Sequence, residues 1–455
     1  MMKSTLSLKA RALIGLTLFS MFFGAGNLIF PPYLGYLAGD STLIAMVGFA
    51  ITAICFPVLG VMAVANSGGL TNLASRVHPI FASIFTLLIY LSIGPCLAIP
   101  RTASTSFEMA VSPFFRGSGA FSGTVMGLDW AVLAQALYSV AFFVLAGFIA
   151  LDPSKLTQRL GKILGPMLVT LIAILFGATL LHPLSNTLSI PTGRYLDNPL
   201  LSGFIDGYQT MDTLAALNFG LVIAMNIRAF GVKDESTVVS ETMKAGLIAG
   251  VLFVLVYGAL AWLGAQSSAA HFTAENGAQT LSELGRVQFG PLGTVILGAC
   301  FFIACLNTCV GLLSCCSNYF REIMPFLGYK GWLLVFVLTS LVISNAGLTL
   351  ILKLSVPVLV AIYPVSLVLI VLALVHNHIS HRPAVYPCAI ALTAITSIAG
   401  ALKMAGLSTP AMDDVIAALP LSSVGLEWVV PAIVGVALGS AISGMGRKRP
   451  IDLSS

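Results

Sequence analysis

The chain has 455 residues, of which 58% are hydrophobic and only 9% charged, with a mean hydropathy of +0.99 and a formal net charge of +5. Ordinary soluble domains carry about 25% charged residues, so the composition excludes a soluble globular protein and indicates a polytopic, all-α membrane protein embedded in a lipid bilayer. The positive residues are scattered over many short loops, which argues against a nucleic-acid partner.

Charge-poor segments and their breaks predict about twelve transmembrane spans. They are placed near 12–38, 42–65, 80–106, 128–150, 163–181, 207–229, 245–265, 291–317, 331–346, 349–374, 384–405 and 427–446. The first apolar segment is too long for a secretory signal and lacks a small-residue cleavage site. With the amino terminus in the cytoplasm, 16 of the 22 Lys and Arg residues fall on the cytoplasmic side, including Arg11, Arg76, Lys155, Lys233, Arg321 and Arg382. Lysine and arginine accumulate on that side of a membrane, so both termini are expected there.

The first span is the least ordinary. No charge occurs between Arg11 and Asp40, yet its middle reads Ser20-Met21-Phe22-Phe23-Gly24-Ala25-Gly26-Asn27 and is followed by Pro31-Pro32. Glycine frees the backbone and proline removes an amide donor. Non-helical backbone survives at membrane depth only inside protein or along a wet cavity, so a break here is a candidate ion or substrate site. The bland alternative is a helix-packing glycine pair with a proline kink. Further on, Arg101 and Glu108 near the outer end of the third span read either as a structural ion pair at i and i+7 or as gating residues.

The stretch His182–Asp206 is read as a loop over the outer face, and Gln266–Gly290 as a loop carrying a short surface helix. Between them, the sixth span is polar at its midsection, in Thr210-Met211-Asp212-Thr213. Interrupted segments at matching places in two halves point to an inverted-repeat transporter. The repeats would cover 12–181 and 207–374, with 384–446 appended, all within one transmembrane domain spanning 1–455. An ionisable residue at membrane depth is functional by default; the alternative for Asp212 is a helix cap on a span that starts later. In the eighth span Asn307 and Thr308 offer neutral oxygens that suit sodium, or else hydrogen bonds between helices. Five cysteines cluster in that span without zinc spacing and read as small membrane-helix residues. All six histidines lie in predicted loops or at span ends, which leaves no intramembrane histidine relay, and no nucleophile–base or metal cluster suggests an enzyme.

Phe23-Gly24-Ala25-Gly26-Asn27-Leu28-Ile29-Phe30-Pro31-Pro32, Gly94-Pro95 through Ile99-Pro100-Arg101-Thr102-Ala103, Ser106-Phe107-Glu108, and Thr210-Met211-Asp212 with Leu214-Ala215-Ala216-Leu217 resemble the branched-chain amino acid:cation symporters. The resemblance runs over nearly the whole chain. It implies a carrier in the bacterial cytoplasmic membrane for leucine, isoleucine and valine, with the five-plus-five inverted-repeat fold of the leucine transporter superfamily and broken first and sixth helices. By that resemblance sodium, not a prosthetic cofactor, is the coupling ion. It would be held by the carbonyls of Ser20, Phe23 and Ala304 and the side chains of Asn307 and Thr308. Asn307 stands where a hydroxyl residue is usual. The substrate carboxylate would meet the amides of Ala25, Gly26 and Asn27, and its ammonium the sixth-span break near Asp212 and Thr213. Two rivals stand beside this reading: a proton-coupled carrier with Asp212 as proton acceptor, and a channel or sensor without coupled transport.

Overall fold

The computed structural model describes residues 6–116, 124–125, 128–151, 165–232 and 234–445. Apart from a two-residue antiparallel pairing of Thr124–Val125 with Leu128–Asp129, its regular elements are helices. In chain order the spans are Leu8–Phe22 with Ala25–Ala38, Thr42–Ala50 with Phe56–Ser67, Pro79–Leu91 with Ala98–Ala110, Trp130–Ala150, Gly165–Leu181, Pro199–Asp206 with Asp212–Ala229, Glu235–Ala269, the distal part of Gly277–Ile323, Gly328–Ser344, Leu348–Leu374, Val385–Met404 and Val429–Met445. Leu43, Phe148, Leu181 and Leu255 are exposed on these helices, as side chains facing hydrocarbon should be.

The expected boundaries differ from these in one informative place. The sixth span does not start at residue 207. Asn198 flanks a helix that opens with Pro199 and runs to Asp206, inside the stretch read as a loop. Proline is well tolerated at a first helical position, where its missing N–H would be unpaired anyway. The rest of that stretch does fold over the neighbouring helix ends: Asp40 N–H donates to the Ser189 carbonyl at 2.9 Å and Thr192 N–H to the Leu37 carbonyl at 2.8 Å. The surface helix expected before the eighth span is also present. It turns into the span at Gly290, whose φ of 62° lies in the region that favours glycine.

Polar fastenings mark the two ends of the bundle. At one end Arg11 Nε and Nη2 donate to buried Glu241 at 2.8 and 3.0 Å, and Lys244 adds a third bond at 2.9 Å. Arg76 donates to the Tyr386 hydroxyl at that end. At the other end the Tyr36 hydroxyl donates to the Phe272 carbonyl and Arg194 pairs with Asp206. The loop residues Lys155 and Lys233, used above to orient the chain, lie outside the described residues.

Between the ends, helices approach backbone to backbone. A methyl group added at Gly35 would overlap the Ala261 carbonyl, and one at Gly264 would overlap the Pro32 carbonyl. Gly48 meets the Leu200 carbonyl and Gly203 the Ala45 carbonyl in the same way. Lipid tails are as apolar as leucine, so helices in a bilayer gain from close packing more than from burial, and small residues permit it. These contacts seat Ala25–Ala38 of the first span against the seventh, and Pro199–Asp206 of the sixth against the second.

Candidate functional site

The first span parts at Phe23 and Gly24, not at the prolines. Pro31 and Pro32 sit inside the uninterrupted helix Ala25–Ala38. The Gly24 N–H turns away from the preceding helix to the Asn27 side-chain oxygen at 2.9 Å. That diversion releases the Ser20 carbonyl from its usual i+4 partner. The Asn307 amide nitrogen donates to it at 3.1 Å, and the Thr308 hydroxyl donates to the Phe23 carbonyl at 3.3 Å. Ser20, Phe23, Asn307 and Thr308 thus converge, although they are nearly 290 residues apart in the chain. The Asn307 side-chain oxygen is buried and makes no hydrogen bond. An unpaired buried acceptor beside two released carbonyls is a donor set that suits a small cation. Ala304 is buried one turn before Thr308; as an interior helical residue, its carbonyl belongs to the ordinary helical ladder.

The sixth span breaks at Met211, which takes a left-handed conformation at φ 63° and ψ 11°. Asp212 is therefore both a helix amino terminus and a residue deep in the protein, with 3% of its surface exposed. The alternative of a capping Asp212 on a later-starting span does not describe it: the span starts earlier, at Pro199, the N-cap position is Met211, and no side chain caps the helix. Its carboxylate accepts from Asn27 Nδ2 at 2.6 Å and from the Tyr257 hydroxyl at 3.0 Å, and Asn27 also bonds Tyr257. Asn27 thereby ties its own break to the second one. Thr213 donates from its hydroxyl to the Thr52 carbonyl at 3.1 Å and from its N–H to the Tyr363 hydroxyl at 3.3 Å. The Thr52 carbonyl sits in a single π turn, Ile51–Cys55, a distortion that often accompanies functional sites.

A third interruption was not foreseen. The third span contains a π turn at Ser92–Cys96, with Gly94 at φ −90° and ψ −127°. It resumes at Ala98 and delivers Arg101 between the two breaks. The hydrogen bonds of Arg101 and Glu108 do not join the two residues: Arg101 Nη1 donates to the Gln209 carbonyl at 2.8 Å, whereas Glu108 accepts from Gln279 at 3.5 Å. Positions seven apart share a helix face but stand about 10 Å apart along it. Tyr257 and Tyr363 were also missed, since a lone tyrosine in an apolar span looks like packing.

One cavity lies at the two breaks, lined among others by Met21, Gly24, Ala25, Gly26, Asn27, Arg101, Thr210, Asp212, Phe219, Thr308 and Leu312, while Ser20, Phe23, Thr213 and Asn307 stand behind this lining. The cavity measures about 30 Å³, room for water but not for a larger solute. Beyond it, towards the Arg194 end of the bundle, lies a wider recess of about 370 Å³ lined by Tyr33, Arg194, Asp206, Gln209, Glu275 and Lys353. Phe30, Tyr208 and Gln209 border that recess, and the Arg101 guanidinium lies over the Phe30 ring at 5.6 Å.

A family profile described as "Branched-chain amino acid transport protein" matches residues 7–445. The chain is 39% identical over 444 residues to the branched-chain amino acid permease BraB of Bacillus subtilis (strain 168), covering 97% of each chain. It is 38% identical over 426 residues to the branched-chain amino acid transport system 2 carrier protein of Pseudomonas aeruginosa, covering 93% of this chain and 94% of that one. Among solved structures, its fold is similar to Mhp1, a nucleobase-cation-symport-1 family transporter. Against the closed conformation with bromovinylhydantoin the TM-score is 0.58, with 14% identity and 97% and 93% coverage. Against inward-facing Mhp1 the TM-score is 0.59, with 12% identity and 95% and 90% coverage. The fold class expected from the sequence, about twelve spans on a five-plus-five plan with the first and sixth broken, is the one found.

Proposed function

Because the chain belongs to the branched-chain amino acid transport protein family, whose members are permeases and not enzymes, we propose that it is a symporter taking up leucine, isoleucine and valine with sodium by alternating access. The observation that carries the proposal is the meeting of two helix breaks of opposite character at one buried cavity. The amides that open Ala25–Ala38 face the cavity with the positive end of a helix dipole, which favours a carboxylate. Asp212 and the backbone that ends the sixth span's outer half supply acceptors for an ammonium. Met21, Phe22, Ala215, Phe219 and Leu312 give the aliphatic side chain an apolar wall. Such a wall separates substrates differing by one methylene by only about 1–3 kcal/mol, which accounts for a shared route for three amino acids.

The coupling ion is assigned to Ser20, Phe23, Asn307 and Thr308, with the Asn307 amide turned so that its unpaired oxygen faces the released carbonyls. The cavity is too small for leucine, so loading requires the wider recess to open into it past Phe30 and Gln209. With the sixth span's start moved to Pro199, residues 8–181 and 199–374 are read as the two repeats, and both termini as cytoplasmic in a bacterial inner membrane.

Uptake of labelled leucine into proteoliposomes, under a sodium gradient and a proton gradient imposed separately, tests the reading. Accumulation above the external concentration is expected with inward sodium at equal pH. Accumulation driven by protons alone would transfer the coupling role to Asp212. Downhill flux under both gradients would overturn symport.

A further inference from the structure

We propose that Arg101 is the residue that receives the carboxylate of the substrate, closing from the third span onto the helix amino terminus at Gly26. The proposal rests on the amino acid reading above and assigns to Arg101 a role different from gating or pairing with Glu108.

Arg101 is 3% exposed, and a guanidinium has five N–H donors. One of them donates to the Gln209 carbonyl at 2.8 Å, and Nε makes no hydrogen bond. The Phe30 ring at 5.6 Å offers its face but no acceptor. Asp212 does not complete the set, since its hydrogen bonds come from Asn27 and Tyr257. Yet Arg101 lines the cavity together with Gly24, Ala25 and Gly26. A Cβ placed on Gly26 would sit 2.9 Å from Arg101 Nη2, so the guanidinium lies directly against the first turn of the half-helix. A cation packed on the positive end of a helix is unfavourable by itself. An anion lying between the two turns both positive groups into ligands. The planar fork of arginine matches the two oxygens of a carboxylate. Asp212, which carries the opposite charge, lines the same cavity. An α-amino acid zwitterion is the chemical class that satisfies both ends at once. Amines and amino amides satisfy only one.

The test measures binding of L-leucine and L-leucinamide, which replaces the carboxylate by a neutral amide, to the purified full-length protein in lipid nanodiscs. Wild type is expected to prefer leucine by about 100-fold. Arg101→Gln is expected to weaken leucine by a similar factor while moving leucinamide less than about threefold, so that the preference collapses. Arg101→Lys, which keeps the charge and loses the fork, should recover part of it. Equal losses for both ligands in Arg101→Gln would make Arg101 a scaffold residue and overturn the proposal. Should that variant fail to fold, a wild-type preference below about tenfold overturns it as well. A wild-type protein that binds no branched-chain amino acid would instead remove the transport reading, and this assignment with it.

Discussion

Replacing Asp212 with asparagine separates its structural role from its role toward substrate. The exchange keeps size and shape, which matters beside a cavity of about 30 Å³. Asn27 Nδ2 and the Tyr257 hydroxyl both donate to the same Asp212 oxygen, Oδ2. An asparagine presenting its oxygen there can keep both bonds, but as neutral ones. Hydrogen bonds to charged groups contribute about 1.5–3 kcal/mol and neutral ones about 0.5–1.5, so folding should lose roughly 1–3 kcal/mol. Substrate suffers more. Losing one partner of a buried, hydrogen-bonded charge pair costs about 2–5 kcal/mol, which is about 30-fold to several thousand-fold in affinity. Leucine binding to Asp212→Asn and wild type, each checked for monodispersity and thermal unfolding, measures both numbers. A dissociation constant within about threefold of wild type, in a protein that unfolds slightly earlier, would reduce Asp212 to a tie between the breaks and refute the assignment.

Thr308→Ala removes a hydroxyl from the Phe23 carbonyl without touching Asp212 or Arg101. Its expected signature is a raised sodium midpoint, with leucine affinity restored at high sodium, because ion and substrate binding are linked reciprocally by about 1–3 kcal/mol; unchanged sodium midpoints would remove the eighth span from the ion site. The orientation is tested by single cysteines read with an impermeant thiol reagent on intact cells. Ser236→Cys, exposed beside Asp234, should stay unlabelled until the membrane is opened, and Thr273→Cys should label at once; the reverse pattern would invert the map.

The parts of this site that could be read from sequence are those where residue chemistry contradicts a membrane span. Two glycines and an asparagine in an apolar run foretold the first break, and Asp212 the neighbourhood of the second. The first half of the sixth span escaped because Pro199–Asp206 is only eight residues long, too short for a hydropathy signal and framed by turn-forming residues. The π turns at Ile51–Cys55 and Ser92–Cys96 escaped for another reason. A π turn is a register slip of the hydrogen-bond ladder, and nothing in the side chains of Ile51–Cys55 demands one. Tyr257 is visible as a functional neighbour only once Asn27 and Asp212 are placed beside it in space. Arg101 stood out at once, but its partner was sought along its own helix, when its contacts lie on the first and sixth spans.

The seams where glycine meets a carbonyl determine what can travel in this protein. Where side chains interlock, a helix can shift by a fraction of an ångström while rotamers absorb the movement. Gly35 against Ala261 and Gly264 against Pro32 leave no such slack, and each Cα–H pointed at a carbonyl adds about 0.5–1 kcal/mol of weak, directional attraction. Ala25–Ala38 is therefore locked to the seventh helix, and Gly203 with Ala45 joins Pro199–Asp206 to the second in the same manner. Tyr257 rides on the seventh helix and Thr52 on the second, so each half-helix carries with it the residue that its neighbour supplies to the breaks. A displacement of either half-helix is thus passed to Asn27 and Asp212 more as by a rod than by a spring.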